Sequence, residues 1–199
     1  QIVVANGMIH YPALMQKNNQ GQYDHVEVYT SKTEQHPFVT MQEGEFYPLV
    51  ETLLPKGEKM VKTTRHFTIV KIDPAGKRVV VSAGNALDIE SDDKMDFWHP
   101  QALYQQVVDI AGYEPCTVAT GGNYPELVSR RILPSWSEFQ KWQAKVLMGL
   151  IEQNGYEAIF THNHSCDHVG HACWRWAKSR KKYGNNDEKI YQVFLEEIY

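Results

Sequence analysis

A chain of 199 residues, 42% hydrophobic and 12% aromatic, has room for one ordinary domain or two small ones and enough apolar content to bury a core, which excludes a disordered tail. Its 24 acidic against 20 basic residues leave a formal net charge of -4, which argues against duplex nucleic acid as a partner, because displacing counterions from phosphates calls for a basic surplus. Three cysteines, Cys116, Cys166 and Cys173, form neither a paired framework nor a CxxC, and that usage suits a reducing, cytoplasmic setting. No membrane segment is expected, because no run approaches about 18 apolar residues, and Gln1-Ile2-Val3-Val4 is no secretion signal.

From Val26 to about Val81 the pattern is short and strand-like, with Val26, Val28 and Tyr29 first and Phe67, Ile69 and Ile72 later. Asp73-Pro74-Ala75-Gly76 separates two β-branched runs and predicts a hairpin, since Pro presets one turn angle and Gly accepts the left-handed one. Two strands alone are marginal in water, so a small sheet resting on something else is expected. The acidic stretch Glu90-Ser91-Asp92-Asp93 then marks a boundary, giving a β-rich subdomain at 1–90 and an α/β portion at 91–199.

In the second portion Leu103, Val107 and Ile110 fall at helical spacing and Gly112 ends the run. A second helix is predicted over Trp136–Gln153, with Ser135 and Glu138 as a capping box, Asn154-Gly155 as the stop, and Phe139, Trp142, Val146, Leu150 and Ile151 along one face. The apolar run Tyr156–Thr161 directly behind it reads as a buried parallel strand, whose carboxyl end is where ligand sites of open α/β sheets gather. The basic cluster Arg175, Lys178, Arg180, Lys181 and Lys182 reads as a solvated helix end, or as a local positive field beside an anionic substrate. Asp187–Tyr199 has the pattern of one more amphipathic helix.

The segment that carries chemistry is Thr161-His162-Asn163-His164-Ser165-Cys166-Asp167-His168-Val169-Gly170-His171, where four of nine histidines crowd around one acid. If a helix begins near Asp167, then Asp167 and His171 project from the same face. A carboxylate and an imidazole so placed can hold one divalent cation, with donor atoms at about 2.0–2.2 Å from zinc. The plain alternative is a capping carboxylate that also bonds the imidazole one turn on.

His162-x-His164-x-x-Asp167-x-x-x-His171-x-x-Trp174 resembles the middle motif of type I phosphodiesterase and nucleotide pyrophosphatase proteins of the alkaline phosphatase superfamily. Gly44-Glu45-Phe46, Arg65-His66-Phe67-Thr68-Ile69 and Val79-Val80-Val81-Ser82 are similar, less specifically, to the β-rich insertion that precedes it there. The resemblance implies an interior piece of a phosphohydrolase, with a partial alkaline-phosphatase-like core of helix, strand and helix. It implies Asp167 and His171 as ligands of one of two metal ions, zinc fitting best and manganese tolerated. His162 and His164 would take substrate-side or supporting roles, and His168 a structural one, with Trp174 packing just below the site. The substrate implied is a phosphate ester or nucleotide-like small molecule. The Thr or Ser nucleophile segment and the later Asp-His-Gly motif have no counterpart in this sequence. No catalytic residue is therefore assigned within the chain, and no hydrolysis by it alone is expected.

Three other readings stand beside this one. The metallo-β-lactamase signature H-x-H-x-D-H is imitated with one extra residue, which should carry Asp167 and His168 out of register with the first pair of histidines. The first half could act as a non-catalytic cap, with Tyr11, Tyr23, Tyr29, Phe38, Phe46 and Tyr47 lining a pocket or simply filling the core. Cys166 among histidines could serve as a nucleophile, although a small loop residue is the plainer use.

Overall fold

The computed structural model describes residues 1–4, 7–90, 97–118 and 127–178, with side chains in the final helix as far as His171. The chain combines helices and sheets and divides into two compact units, Gln1–Ser91 and Asp92–Tyr199. All described strands lie in the first unit and all described α-helices in the second.

The described residues of the first unit form nine strands, all paired antiparallel: β1 (Ile2–Val4), β2 (Ile9–Tyr11), β3 (Ala13–Lys17), β4 (Tyr23–Val28), β5 (Val39–Gln42), β6 (Phe46–Lys56), β7 (Lys59–Ile72), β8 (Val79–Ala83) and β9 (Leu87–Asp88). They form a β1-β2 ribbon, a β3-β4-β5 sheet, and a sheet in which β7 pairs with β6 on one edge and with β8 and β9 on the other. Flanked on both edges, β7 is buried continuously from Thr63 to Val70, so its polar residues are enclosed along with its apolar ones. A single apolar core joins the sheets, with Val26, Val28, Met41, Phe67 and Ile69 at its centre.

The predicted hairpin joins β7 to β8. The Asp73 carbonyl accepts from the Gly76 amide at 2.8 Å, the Asp73 side chain accepts from the Ala75 amide at 3.0 Å, and Gly76 takes a φ of 76° that a β-carbon would strain. The β structure is much larger than the small sheet expected. The ribbon β1-β2 and strand β3 are too short to show a period of their own, and the edge strand β6 is interrupted by Pro48 and Pro55. Four of the six aromatic residues divide between a groove and the core. Tyr11, Phe38 and Tyr47 line an apolar groove of about 790 Å³ with Val50 and Leu53, whereas Phe46 stacks on buried His66 at 5.2 Å.

The second unit contains α1 (Ala102–Ala111), a π-helical turn (Val128–Ile132) running directly into α2 (Leu133–Asn154), and α3 (Ser165–Lys178). Helix α1 lies antiparallel to the end of α2: Gln106 donates to Gln153 and Asn154, while Ile110 sits so close to Gly149 that a β-carbon there would meet it at 2.5 Å. Trp142 closes the pair, its indole N–H donating to the Gly112 carbonyl at 2.9 Å.

Two expectations for this unit are corrected. Helix α2 starts before the proposed capping box, so Ser135 is an interior, fully buried residue; its hydroxyl donates to the Ile132 carbonyl at 2.8 Å and accepts from the Val118 amide at 3.2 Å. Glu138 pairs with Lys141 instead, at 2.8 Å. The chain is already helical through Val128–Ile132, so Ser135 has no helix start to cap.

The second correction concerns Tyr156–Thr161, which forms no strand; the order is helix, irregular segment, helix. A strand needs a neighbour to satisfy its peptide groups, and no described residue of this unit lies in a strand. Phe160 is accordingly 98% exposed, the reverse of a sheet-core residue. Gly155, at φ 60°, ends α2 in the left-handed conformation, with its amide on the Ile151 carbonyl at 3.3 Å. The boundary stretch 91–93, the residues of the basic cluster beyond Lys178, and the predicted helix at 187–199 lie outside the described residues.

Candidate metal centre

The histidine-rich segment begins in the loop between α2 and α3 and continues into the first turns of α3. Gln143 of α2 pins the loop, donating to the His162 carbonyl at 3.0 Å and to the Thr161 hydroxyl at 3.4 Å. Asn163 then opens the helix, its side-chain oxygen accepting from the Ser165 amide at 2.9 Å, and the His168 amide completes a helical turn onto the His164 carbonyl at 3.0 Å. The amide-accepting role at this helix start thus belongs to Asn163.

Asp167 and His171 lie one turn apart on α3, and the His171 Nε2 stands 3.3 Å from the Asp167 Oδ1. The side chains are 58% and 80% exposed, so the pair faces solvent. One turn earlier a second pair repeats the same separation, His164 Nδ1 lying 3.3 Å from His168 Nε2. Both values match the edge of a tetrahedral zinc site, where donors at about 2.0–2.2 Å from the ion stand roughly 3.3–3.6 Å apart. Donor atoms of His164, Asp167 and His168 all fall within 4.8 Å of one another.

His162 and His164 meet edge to face with ring centroids 3.9 Å apart, so both sit beside the acid-containing turn. His168 belongs to the cluster as well as to the framework. Its ring stacks on Trp136 of α2, centroids 4.8 Å apart and planes 16° from parallel, while its far nitrogen faces His164. Trp136 is held in turn by its indole N–H, which donates to the Val118 carbonyl at 3.0 Å. The purely structural role expected for His168 therefore describes one face of its ring and misses its Nε2. Spacing contained the signal: residues 164 and 168 are four apart, as are 167 and 171, but the first pair straddles the helix start.

The extra residue in the H-x-H-x-x-D-H segment does not separate Asp167 and His168 from His164, because the helical turn folds the insertion back. Val169 and Ser165 are buried at 3% and 1% exposure and anchor the turn, and the Ser165 hydroxyl is enclosed with no hydrogen-bond partner among the described residues. Cys166 is an exposed free thiol. The side chains of Cys173 and Trp174 lie outside the described ones. Among the described residues, no helix is long and apolar enough to cross a membrane.

Comparison of the chain with protein-family models, with curated proteins and with solved structures gave no match.

Proposed function

We propose that this chain supplies part of the metal centre of a phosphohydrolase, with Asp167 and His171 as ligands of one divalent cation. The observation that carries the reading is the 3.3 Å separation of an anionic oxygen and an imidazole nitrogen, projecting together from one helix face. The donor chemistry fits: a hard carboxylate oxygen beside a borderline nitrogen suits zinc best and manganese acceptably. The reading rests on this donor pair and on the spacing of the His-x-His-x-x-Asp-x-x-x-His segment, without support from a preceding strand.

A bound zinc ion would act as a Lewis acid toward a phosphoryl oxygen. The role of this chain's residues is to hold and orient the ion, while His162 and His164 line its approach. The remaining ligands, the second ion of a two-metal centre, the nucleophile and an alkaline-phosphatase-like core belong to the larger protein that this proposal implies. The substrate class is a phosphate ester or nucleotide-like small molecule, and the chain alone hydrolyses none. The test is a coupled one. The sequence flanking this chain is read for a Thr or Ser nucleophile segment and an Asp-His-Gly motif, and hydrolysis of a chromogenic phosphodiester is then compared in the extended protein and its His171→Ala variant. Activity lost in the variant supports the proposal, and full activity in it, or absence of both motifs, refutes it.

A further inference from the structure

We infer that His164, Asp167 and His168 form a second cation site at the start of α3, distinct from the Asp167–His171 pair and binding more tightly in this chain. Three donors from one helical turn converge within 4.8 Å. Two of them, His164 Nδ1 and His168 Nε2, are already 3.3 Å apart, at the edge length of a tetrahedral zinc shell. The third has room to complete the set, since the Asp167 side chain is 58% exposed and a rotamer change meets little obstruction.

Preorganisation separates this set from the His171 pair. A ligand held in place before the ion arrives loses less freedom on binding. The His168 ring is clamped flat on Trp136, which is 6% exposed and fixed by its own hydrogen bond to Val118. Gln143 and Asn163 anchor the loop on which His164 rides, through the His162 carbonyl and the Ser165 amide. His171, by contrast, is 80% exposed, and its partner among the described residues is the acid one turn before it. Three donors, one of them rigid, outcompete two flexible ones, so the first equivalent of a nitrogen-preferring cation such as zinc occupies this site.

The inference shares Asp167 with the proposed hydrolase centre but does not depend on any phosphate chemistry. It is tested by calorimetric titration of the chain with zinc chloride, alongside His164→Ala, His168→Phe and His171→Ala. The phenylalanine keeps a flat ring against Trp136 and removes both ring nitrogens, the donor Nε2 among them. The expected result is that His164→Ala and His168→Phe each weaken the tighter binding step by more than the roughly 10–100-fold typical of losing a supporting group, while His171→Ala leaves that step unchanged. Wild-type affinity in both His164→Ala and His168→Phe overturns the inference. If His171→Ala alone then abolishes binding, the hydrolase ligand pair survives without the second site. If all three variants bind as the parent does, both assignments fall.

Discussion

The His168 imidazole lies flat on the Trp136 indole, centroids 4.8 Å apart and planes 16° from parallel, and this contact joins the histidine-bearing helix to the start of α2. The same indole donates its N–H to Val118, so one side chain fastens three segments of the second unit. Trp136→Ala should remove both ties and leave a void, costing about 3–5 kcal/mol, as large-to-small substitutions of buried aromatics do. Denaturant unfolding followed by circular dichroism measures this. Trp136→Phe, which keeps the ring face and loses the N–H, should cost clearly less.

In the first unit a buried polar ladder crosses the sheet. Arg65, 4% exposed, donates through Nε to the Thr52 hydroxyl at 2.9 Å and through Nη1 to the Gly84 carbonyl at 3.2 Å, and the Thr52 and Thr63 hydroxyls meet at 3.0 Å. Arg65→Met should leave the Gly84 carbonyl without this donor, for a loss of about 1–3 kcal/mol. The same unfolding experiment reads it.

Gly84 is demanded by a close approach. A β-carbon there would stand 2.2 Å from the ring of His66, which is fully buried. Gly84→Ala should therefore force the ring aside and destabilise the unit by about 1–3 kcal/mol, as overpacking does. A lowered midpoint in thermal unfolding is the expected outcome.

Glu27 ties β4 to its surroundings, accepting from Gln16 at 2.5 Å and from the Tyr29 hydroxyl at 2.8 Å. These two hydrogen bonds hold its carboxyl below the usual carboxylate range. A depressed folded-state value means that the stabilisation is present above the unfolded value of about 4.3 and is lost as pH falls through the lower, folded one. Relative to Glu27→Gln, the parent should lose stability as pH drops from neutral to below 4, and unfolding curves over that interval check it.

What could be read from the sequence followed the strength of local signals. The β7–β8 hairpin was legible because Asp73-Pro74-Ala75-Gly76 dictates its turn chemistry by itself, and the end of α2 was legible because Gly155 alone accepts the left-handed cap. The start of α2 was not, since Ser135 and Glu138 mimic a capping box whose place a π-helical turn had taken. Tyr156–Thr161 has strand composition without a strand to pair with, a fact of tertiary context that no local window contains. Within the candidate metal centre, the turn from Asp167 to His171 was legible by helical spacing. The stacking of His168 on Trp136 was hidden, because Trp136 lies 32 positions earlier in the chain and on another helix.

Asp167 is the residue common to both proposed cation sites, so its removal is the most direct test of the account. Zinc titration of the chain and of Asp167→Ala, with circular dichroism to confirm that both are folded, should show a loss of affinity in the variant well beyond tenfold. Equal zinc affinity in the two would contradict the metal assignment.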